Sequence, residues 1–399
     1  MKILVINCGS SSLKYQLIDM DGEKELAKGL CDRVGIDGKI KASTADGRKV
    51  KFDVDMPDHT AAFYEVKKLI TEGDLKVIDS LDEIAAIGHR VVQGGALFKE
   101  SVLVDEKVKE GIASLNDLAP LHNPAHIQGI NAAQEVFGKD KPEVAVFDNA
   151  FHSTMPPKAY IYPFPYEYYE KYQVRKYGAH GTSHRYVSTR LNEINPDYKK
   201  VIVCHLGNGS SITAIKDGKV IDTSMGLTPL DGFIMGSRCG AVDPSAVTYI
   251  MEKENMTPAE CSTMMNKKSG FLGVSGVSSD MRDVEIAAAD GNERAQLALD
   301  IFYYQVPKII AGYIVALQGL DALVFTAGIS ENGANVRQGI CDQLEFMGIK
   351  IDREKNDGLR GKETQLNTPD SKADIWLIPT NEELMIARDT KRIVESLGK

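Results

Sequence analysis

At 399 residues the chain is long for one hydrophobic core and comfortable for two domains. A formal charge of −9, with Lys and Arg dispersed, argues against a nucleic-acid or membrane-surface partner and supports only solubility. Cysteines 8, 31, 204, 239, 261 and 341 are too widely spaced for a CxxC metal or redox motif, so reduced thiols in a cytoplasmic protein are expected. Met1-Lys2 leads straight into a strand without the sections of a signal peptide, and the longest apolar run, Ile309 to Leu317, is too short to span a bilayer.

Lys2 to Ile6 is a short apolar run rich in β-branched residues and reads as a buried strand, with Leu13 to Asp19 as its antiparallel partner. The turn between them is polar. Gly9 lets the backbone approach a ligand, Asn7 and the hydroxyls of Ser10, Ser11 and Ser12 offer hydrogen bonds, and Lys14 adds a compact positive charge suited to phosphate. It is not a Walker-type loop, because no Gly-Lys-Ser/Thr leads into a helix. Taken alone, such a turn reads as an ordinary hairpin.

Gly35 to Asp55 has weak periodicity and reads as strands and loops at an edge. Thr60 to Glu72 has helical spacing, and Ile84 to Val92 reads as a strand that carries Arg90 into the loop Gln93-Gly94-Gly95. An arginine there either faces a cleft or is a structural surface residue. His122 and His126, in the turn before a helix running to about Val136, have the i, i+4 spacing of a zinc pair, but Pro124 between them and the missing carboxylate disfavour a metal. Val144 to Asp148 is a strand ending on a carboxylate, and strand ends are where α/β folds gather their active groups.

Near residue 150 the texture turns aromatic and Pro-rich, which places a domain crossing there. His180 sits among glycines before an amphipathic helix to about Ile194, where a ring nitrogen can donate to a phosphoryl oxygen; His184 reads as structural. Then the first pattern returns. Val201 to Ile215 is again strand, polar turn and return strand, with His205, Leu206, Gly207, Asn208, Gly209, Ser210 and Ser211 at the turn, which suggests a duplicated fold. The loop-like stretch 225–240 sets Arg238 between Gly236 and Gly240. An apolar-faced helix from about Asn292 to Gly319, with a kink expected near Pro307, reads as core or dimer seam. A third glycine loop, 322–333, joins a strand to a helix start and suits the rest of a nucleotide. Last, a strand from Ile375 to Pro379 leads to Thr380-Asn381-Glu382-Glu383, which predicts a capping box of Thr380 with Glu383 and leaves Glu382 to face a cation.

These parts imply a metal-bound nucleotide. A hydroxyl acceptor would require an aspartate to take its proton, whereas a carboxylate acceptor is already ionised and needs its charge neutralised, a task for convergent arginines such as Arg90 and Arg238.

The set Asn7-Cys-Gly-Ser-Ser-Ser-Leu-Lys14, Gly88-His-Arg90-Val-Val92, Phe147-Asp148-Asn-Ala-Phe-His152, His180-Gly-Thr-Ser-His184, His205-Leu-Gly-Asn-Gly-Ser-Ser211, Ala327-Gly-Ile329 and Pro379-Thr-Asn-Glu-Glu383 resembles the acetate kinase family, in order and over essentially the whole chain. The resemblance implies an α/β fold of two duplicated actin-like (ribonuclease H-like) domains around an interdomain nucleotide cleft. It places one domain at 1–150 plus a C-terminal helix 383–399. The other, at 151–382, carries the nucleotide loops and the surface of a homodimer. It also implies reversible transfer between ATP and acetate, giving acetyl phosphate and ADP, with magnesium, or manganese in its place. Carried over by motif, Asn7, Arg90, Asp148, His180 and Arg238 form the catalytic set. Ser10, Ser12, Lys14, His205, Leu206, Gly207, Asn208, Gly209, Asp280, Arg282, Gly328, Ile329 and Asn332 bind nucleotide and phosphates. Arg90, Val92, Leu121, His122, Ala179 and Pro229 bind the acid, and Asn7, Asp148 and Glu382 hold the metal.

The chain departs from the family at Gln93, Ala96, Asn149 and above all Ala179, where a phenylalanine is usual. A lost ring opens the acid pocket, so broadened use of propionate or butyrate is expected. A propionate or other short-chain acyl kinase is the alternative; a sugar kinase or a non-enzymatic ATP switch on the same fold stands further off.

Overall fold

The computed structural model describes residues 1–120 and 122–398, and the chain divides into two compact units, Met1–Phe151 with the segment from Asn381 onward, and His152–Thr380. Among the described residues the first unit carries an eight-stranded sheet: β1 (Lys2–Gly9), β2 (Ser12–Asp19), β3 (Lys24–Asp32), β4 (Lys39–Thr44), β5 (Lys49–Asp53), β6 (Ile84–Val91), β7 (Val102–Leu103) and β8 (Glu143–Phe147). The second carries six strands: β9 (Lys200–Leu206), β10 (Ser210–Lys216), β11 (Lys219–Thr223), β12 (Ala322–Thr326), β13 (Thr364–Gln365) and β14 (Asp374–Leu377).

The two sheets share one topology. The order β3-β2-β1-β6-β8-β7 recurs as β11-β10-β9-β12-β14-β13, with two antiparallel pairings, two parallel pairings and an antiparallel edge in each. The repeat read from the two polar turns is thus a repeat of the whole sheet. The first unit adds β4 and β5 at its edge, from the segment with weak periodicity.

The parallel strands are mostly apolar along their middles because both faces are covered, and their polar residues lie toward the ends. In the first unit Leu4 and Ile6 pack with Phe63, Val66 and Ile70 of the helix His59–Thr71 and with Ala132 and Val136 of the helix Asn123–Phe137. The opposite face takes the C-terminal helix, Glu382–Ser396, at close range: a Cβ on Gly88 would lie 2.7 Å from Ile386 Cγ2 and 2.5 Å from Thr390 Oγ1. In the second unit the helix Glu293–Leu317 runs as one element through Pro307, and its Phe302, Val306 and Ile310 join Ile202, Leu323 and Ile375 in one core. Among the described residues no helix is long and apolar enough to cross a membrane, and the six cysteines are free thiols.

The C-terminal helix starts differently from the expected capping box. Its cap is Asn381, whose side chain accepts the Leu384 N–H at 3.0 Å, because Thr380 is engaged elsewhere: its N–H donates to Glu331 Oε1 at 3.0 Å and its hydroxyl pairs with Ser183 Oγ at 2.7 Å. Glu382 is therefore the first helical residue and lies in the first unit, not in the 151–382 segment.

Arg337 is a fully buried cation without a carboxylate partner among the described residues. Nε donates to Asn356 Oδ1 at 2.7 Å, and Nη1 and Nη2 donate to the carbonyls of Ser330 and Leu359 at 2.5 and 2.9 Å, while burial lowers its pKa to about 10. It ties the helix Gly328–Asn332 to the segment before Arg360. Arg337→Met keeps the bulk but strands these acceptors, so denaturant unfolding is expected to show a loss of about 3 kcal/mol; an unchanged midpoint would mean that water replaces the guanidinium.

Candidate active site

In the first unit the parallel register brings three side chains to the ends of three strands. β1 ends near Asn7, β6 near Arg90, and Asp148 follows β8, whose Phe147 pairs with Val91. Arg90 Nε donates to Asp148 Oδ2 at 2.9 Å, Nη2 reaches the same oxygen, and Nη1 lies 3.4 Å from Asn7 Oδ1. Lys14 stands opposite Asn7 in the hairpin register. His59 Nε2 holds the turn by donating to the Gly9 carbonyl at 2.8 Å, and Ser10 is exposed at the tip, with Ser12 paired to Gly9. Asn7, Lys14, Arg90, Glu382 and Glu383 line a cavity of about 690 Å³.

This cavity concentrates charge. Burial, with the negative charges of Asp148 and Glu383, raises the Glu382 pKa to about 7, against the pull of Arg90 and Lys14. Burial also opposes the charge on Arg90, yet Asp148 and Glu382 outweigh it and hold that guanidinium above its usual pKa. Among the described residues no three His, Cys, Asp or Glu side chains form a ready metal cage. Asn7, Asp148 and Glu382 are hard oxygen donors, and their crowded carboxylates fit a small divalent cation that keeps much of its water. His122 is exposed at the start of the helix Asn123–Phe137, while His126 is buried, with its pKa pulled to about 3 by burial and then by Arg90. Val92 is half-buried in the loop after Arg90. Leu121 lies outside the described residues.

In the second unit a group of imidazoles is assembled around two serines. His180 adopts the left-handed conformation (φ 59°, ψ 24°) as it caps the helix Gly181–Ile194, a strained geometry for a non-glycine residue. Its ring stacks on His205 at 4.2 Å between centroids. His180 Nδ1 and His184 Nε2 lie 2.9 and 2.7 Å from Ser211 Oγ, and His205 Nδ1 lies 2.8 Å from Ser183 Oγ. Arg238 and the outer nitrogen of His180 converge on Gly209, where a Cβ would lie 3.1 Å from Arg238 Nη1 and 3.6 Å from His180 Nε2. Burial lowers the Arg238 pKa, and its one hydrogen bond among the described residues goes from Nη1 to the Pro229 carbonyl at 3.0 Å.

A cavity of about 960 Å³ in the same unit is lined by Gly207, Asn208, Asp280, Arg282, Gly328, Ile329 and Asn332. Asp280 caps the helix Met281–Ala289 through the Arg282 N–H at 3.0 Å, and its pairing with the Arg282 side chain lowers its pKa to about 2. Leu206 is the exception among the expected nucleotide residues, since its side chain is fully buried in the core. Ala179 is buried in a small apolar group with Met225 and Met235.

A model of the Acetokinase family matches residues 2–388. The chain belongs to that family. An acetate kinase from Thermoanaerobacterium thermosaccharolyticum is 55% identical over 401 aligned residues, covering 100% of both chains. The crystal structure of Porphyromonas gingivalis acetate kinase superposes with a TM-score of 0.95 at 45% identity, covering 98% of this chain and 99% of the other. A propionate kinase from Francisella tularensis does so with a TM-score of 0.91, also at 45% identity and with the same coverage. The fold is accordingly the actin-like α/β fold, and the enzyme is a metal-dependent phosphotransferase with a carboxyl group as acceptor and ATP or ADP as its nucleotide.

Several residues of these sites escaped the sequence. Ser183 lies inside a motif singled out for its histidines, and Ser211 in the Ser-Ser turn of the repeat, but the sequence gives neither of them a site role. Glu285 and Arg360 also line the larger cavity, and nothing in their local sequence marks them.

Burial, and then the neighbouring His152 and His205, hold His184 well below its usual pKa, so it is neutral in the folded protein. Its contribution to stability is complete above pH ~6.5, the unfolded value, and is lost as the pH falls below it, at about 1.4 kcal/mol per pH unit. The drop in unfolding free energy between pH 7 and 5 is expected to be about 2 kcal/mol smaller in His184→Asn than in the unaltered protein. Equal drops would show that His184 is protonated in the fold.

Proposed function

We propose that this enzyme transfers phosphoryl reversibly between ATP and acetate, giving acetyl phosphate and ADP, with magnesium as the metal. The observation that carries the acidic acceptor is Arg238, a half-buried guanidinium with no carboxylate partner among the described residues, set beside His180. Such a cation is stabilised when an anion arrives, and a carboxylate or a transferring phosphoryl group is an anion that needs neutralising rather than a base. His180 Nε2 faces the same point, and stacking on His205 with the Ser211 contact fixes the ring that donates there.

In this reading Asn7, Ser10, Ser12 and Lys14 serve the phosphates, and Arg90 binds the acid beside Val92, Leu121 and His122. Gly207, Asn208, Gly209, Asp280, Arg282, Gly328, Ile329 and Asn332 hold the nucleotide, with His205 and the Leu206 backbone in support. Asn7, Asp148 and Glu382 would hold magnesium, which when bound offsets the negative charge of the phosphates. A homodimer fits the exposed Tyr249, Ile250, Tyr304 and Val315 of the second unit, and the free thiols fit a cytoplasmic setting. Hydroxylamine trapping of the acyl phosphate tests the reaction. Arg238→Ala is expected to lose about 10²–10³ in kcat while ATP binding by calorimetry survives; near-normal turnover would take Arg238 out of the chemistry.

The second reading, use of a longer acid such as propionate, is favoured by Ala179 within its small group with Met225 and Met235. Flexible methionines can repack around an added methylene where the family's ring is missing. A methylene in an apolar pocket is worth about 1–3 kcal/mol, so Ala179→Phe is expected to shift kcat/KM toward acetate over propionate by about tenfold or more. An unchanged ratio would place the acid elsewhere.

A further inference from the structure

The loop after Arg90 is held by side-chain amides rather than by strand pairing. The parallel ladder of β6 and β8 ends with the Asp148 N–H donating to the Val91 carbonyl at 2.9 Å. Beyond that point Asn149 stands in for a strand: Oδ1 accepts the Gly94 N–H at 2.8 Å, and Nδ2 donates to the Gly95 carbonyl at 3.0 Å. Gln93 closes the other side, its Oε1 accepting the Gly95 N–H at 2.9 Å and its carbonyl receiving Asn123 Nδ2 at 3.0 Å. All three amide residues are buried, Asn123 completely.

The loop they hold has no slack. A Cβ on Gly94 would lie 2.8 Å from the Phe147 ring, which is itself stacked on Phe98 at 4.4 Å. Gly95 has φ +59°, and a Cβ there would meet Leu115 at 2.8 Å. Gln93 and Asn149, two departures from the family pattern noted separately in the sequence, therefore belong to one network, clamping together the two segments that carry Arg90 and Asp148.

We infer that Asn149, together with Gln93, is a positioning residue that locks the Val92–Gly95 loop and so sets where the acid substrate lies against Arg90. The inference rests on the proposed reaction. Its chemistry is specific to an amide, because one side chain must accept from one peptide and donate to the next. Aspartate keeps the acceptor but turns a second oxygen toward the Gly95 carbonyl, and it adds a charge beside Asp148. Leucine keeps the bulk and loses both bonds.

The test is steady-state kinetics of the full chain with acetate and ATP for Asn149→Asp, Asn149→Leu and Gln93→Leu, with melting temperatures measured alongside. The expected result is a rise in KM for acetate of about tenfold or more in each variant with KM for ATP within about twofold, since a misplaced substrate loses rate and affinity through geometry. A lowered melting temperature with an unchanged KM for acetate would make the network purely structural and overturn the inference. If the Asn149 variants do not fold, Gln93→Leu decides the question by the same ratio. Failure of the unaltered protein to phosphorylate acetate would instead overturn the proposed reaction.

Discussion

Parallel pairing of buried strands is the constraint on which the rest of this protein depends. In the first unit β1, β6 and β8 run side by side with both faces covered, and in the second β9, β12 and β14 repeat the arrangement. Parallel strands end together, so their polar turns and terminal residues are delivered to one edge. A slip of one residue in β6 would turn Arg90 to the opposite face. Gly88 guards against that slip, because only a glycine there admits Ile386 and Thr390 of the C-terminal helix.

The units treat charge in opposite ways. Around Arg90 the chain crowds carboxylates, so Glu382 holds its proton to about pH 7 and the position favours an added cation. Around Arg238 there is a half-buried cation without a carboxylate partner among the described residues, beside the stacked rings of His180 and His205, and the position favours an added anion. In the proposed reaction between two anions, a metal-bound polyphosphate would bring the cation to the first position and the transferring phosphoryl group would bring the anion to the second.

Much of this was legible along the chain. The apolar runs gave the buried strands, and the echo of one polar turn in another gave the duplication, because period-2 burial and turn chemistry are local properties. At the start of the C-terminal helix the local pattern points to Thr380 as the cap, one residue before the observed Asn381. Thr380 has the right chemistry for a cap, but Glu331 and Ser183, both distant in sequence, had already engaged it. Gln93 and Asn149 looked like unrelated departures because 55 positions separate Asn149 from Gly94, a distance over which no local pattern operates. The Arg90 to Asp148 bond crosses a similar gap; the family motifs put both residues in one catalytic set, but nothing along the chain shows that they pair.

The sequence by itself determined the class of fold, its duplication, the phosphate-friendly turns and, through ordered motifs over the whole chain, the family. These depend on residue type and short-range spacing, which the chain carries before it folds. Only the tertiary structure decided that His180 is held in a left-handed conformation against His205, that Arg238 has no carboxylate partner among the described residues, that crowding raises the pKa of Glu382 beside Asp148, and that two amides extend a ladder past its last strand residue. Each of these depends on burial and on partners far away in the chain, and long-range packing alone sets both.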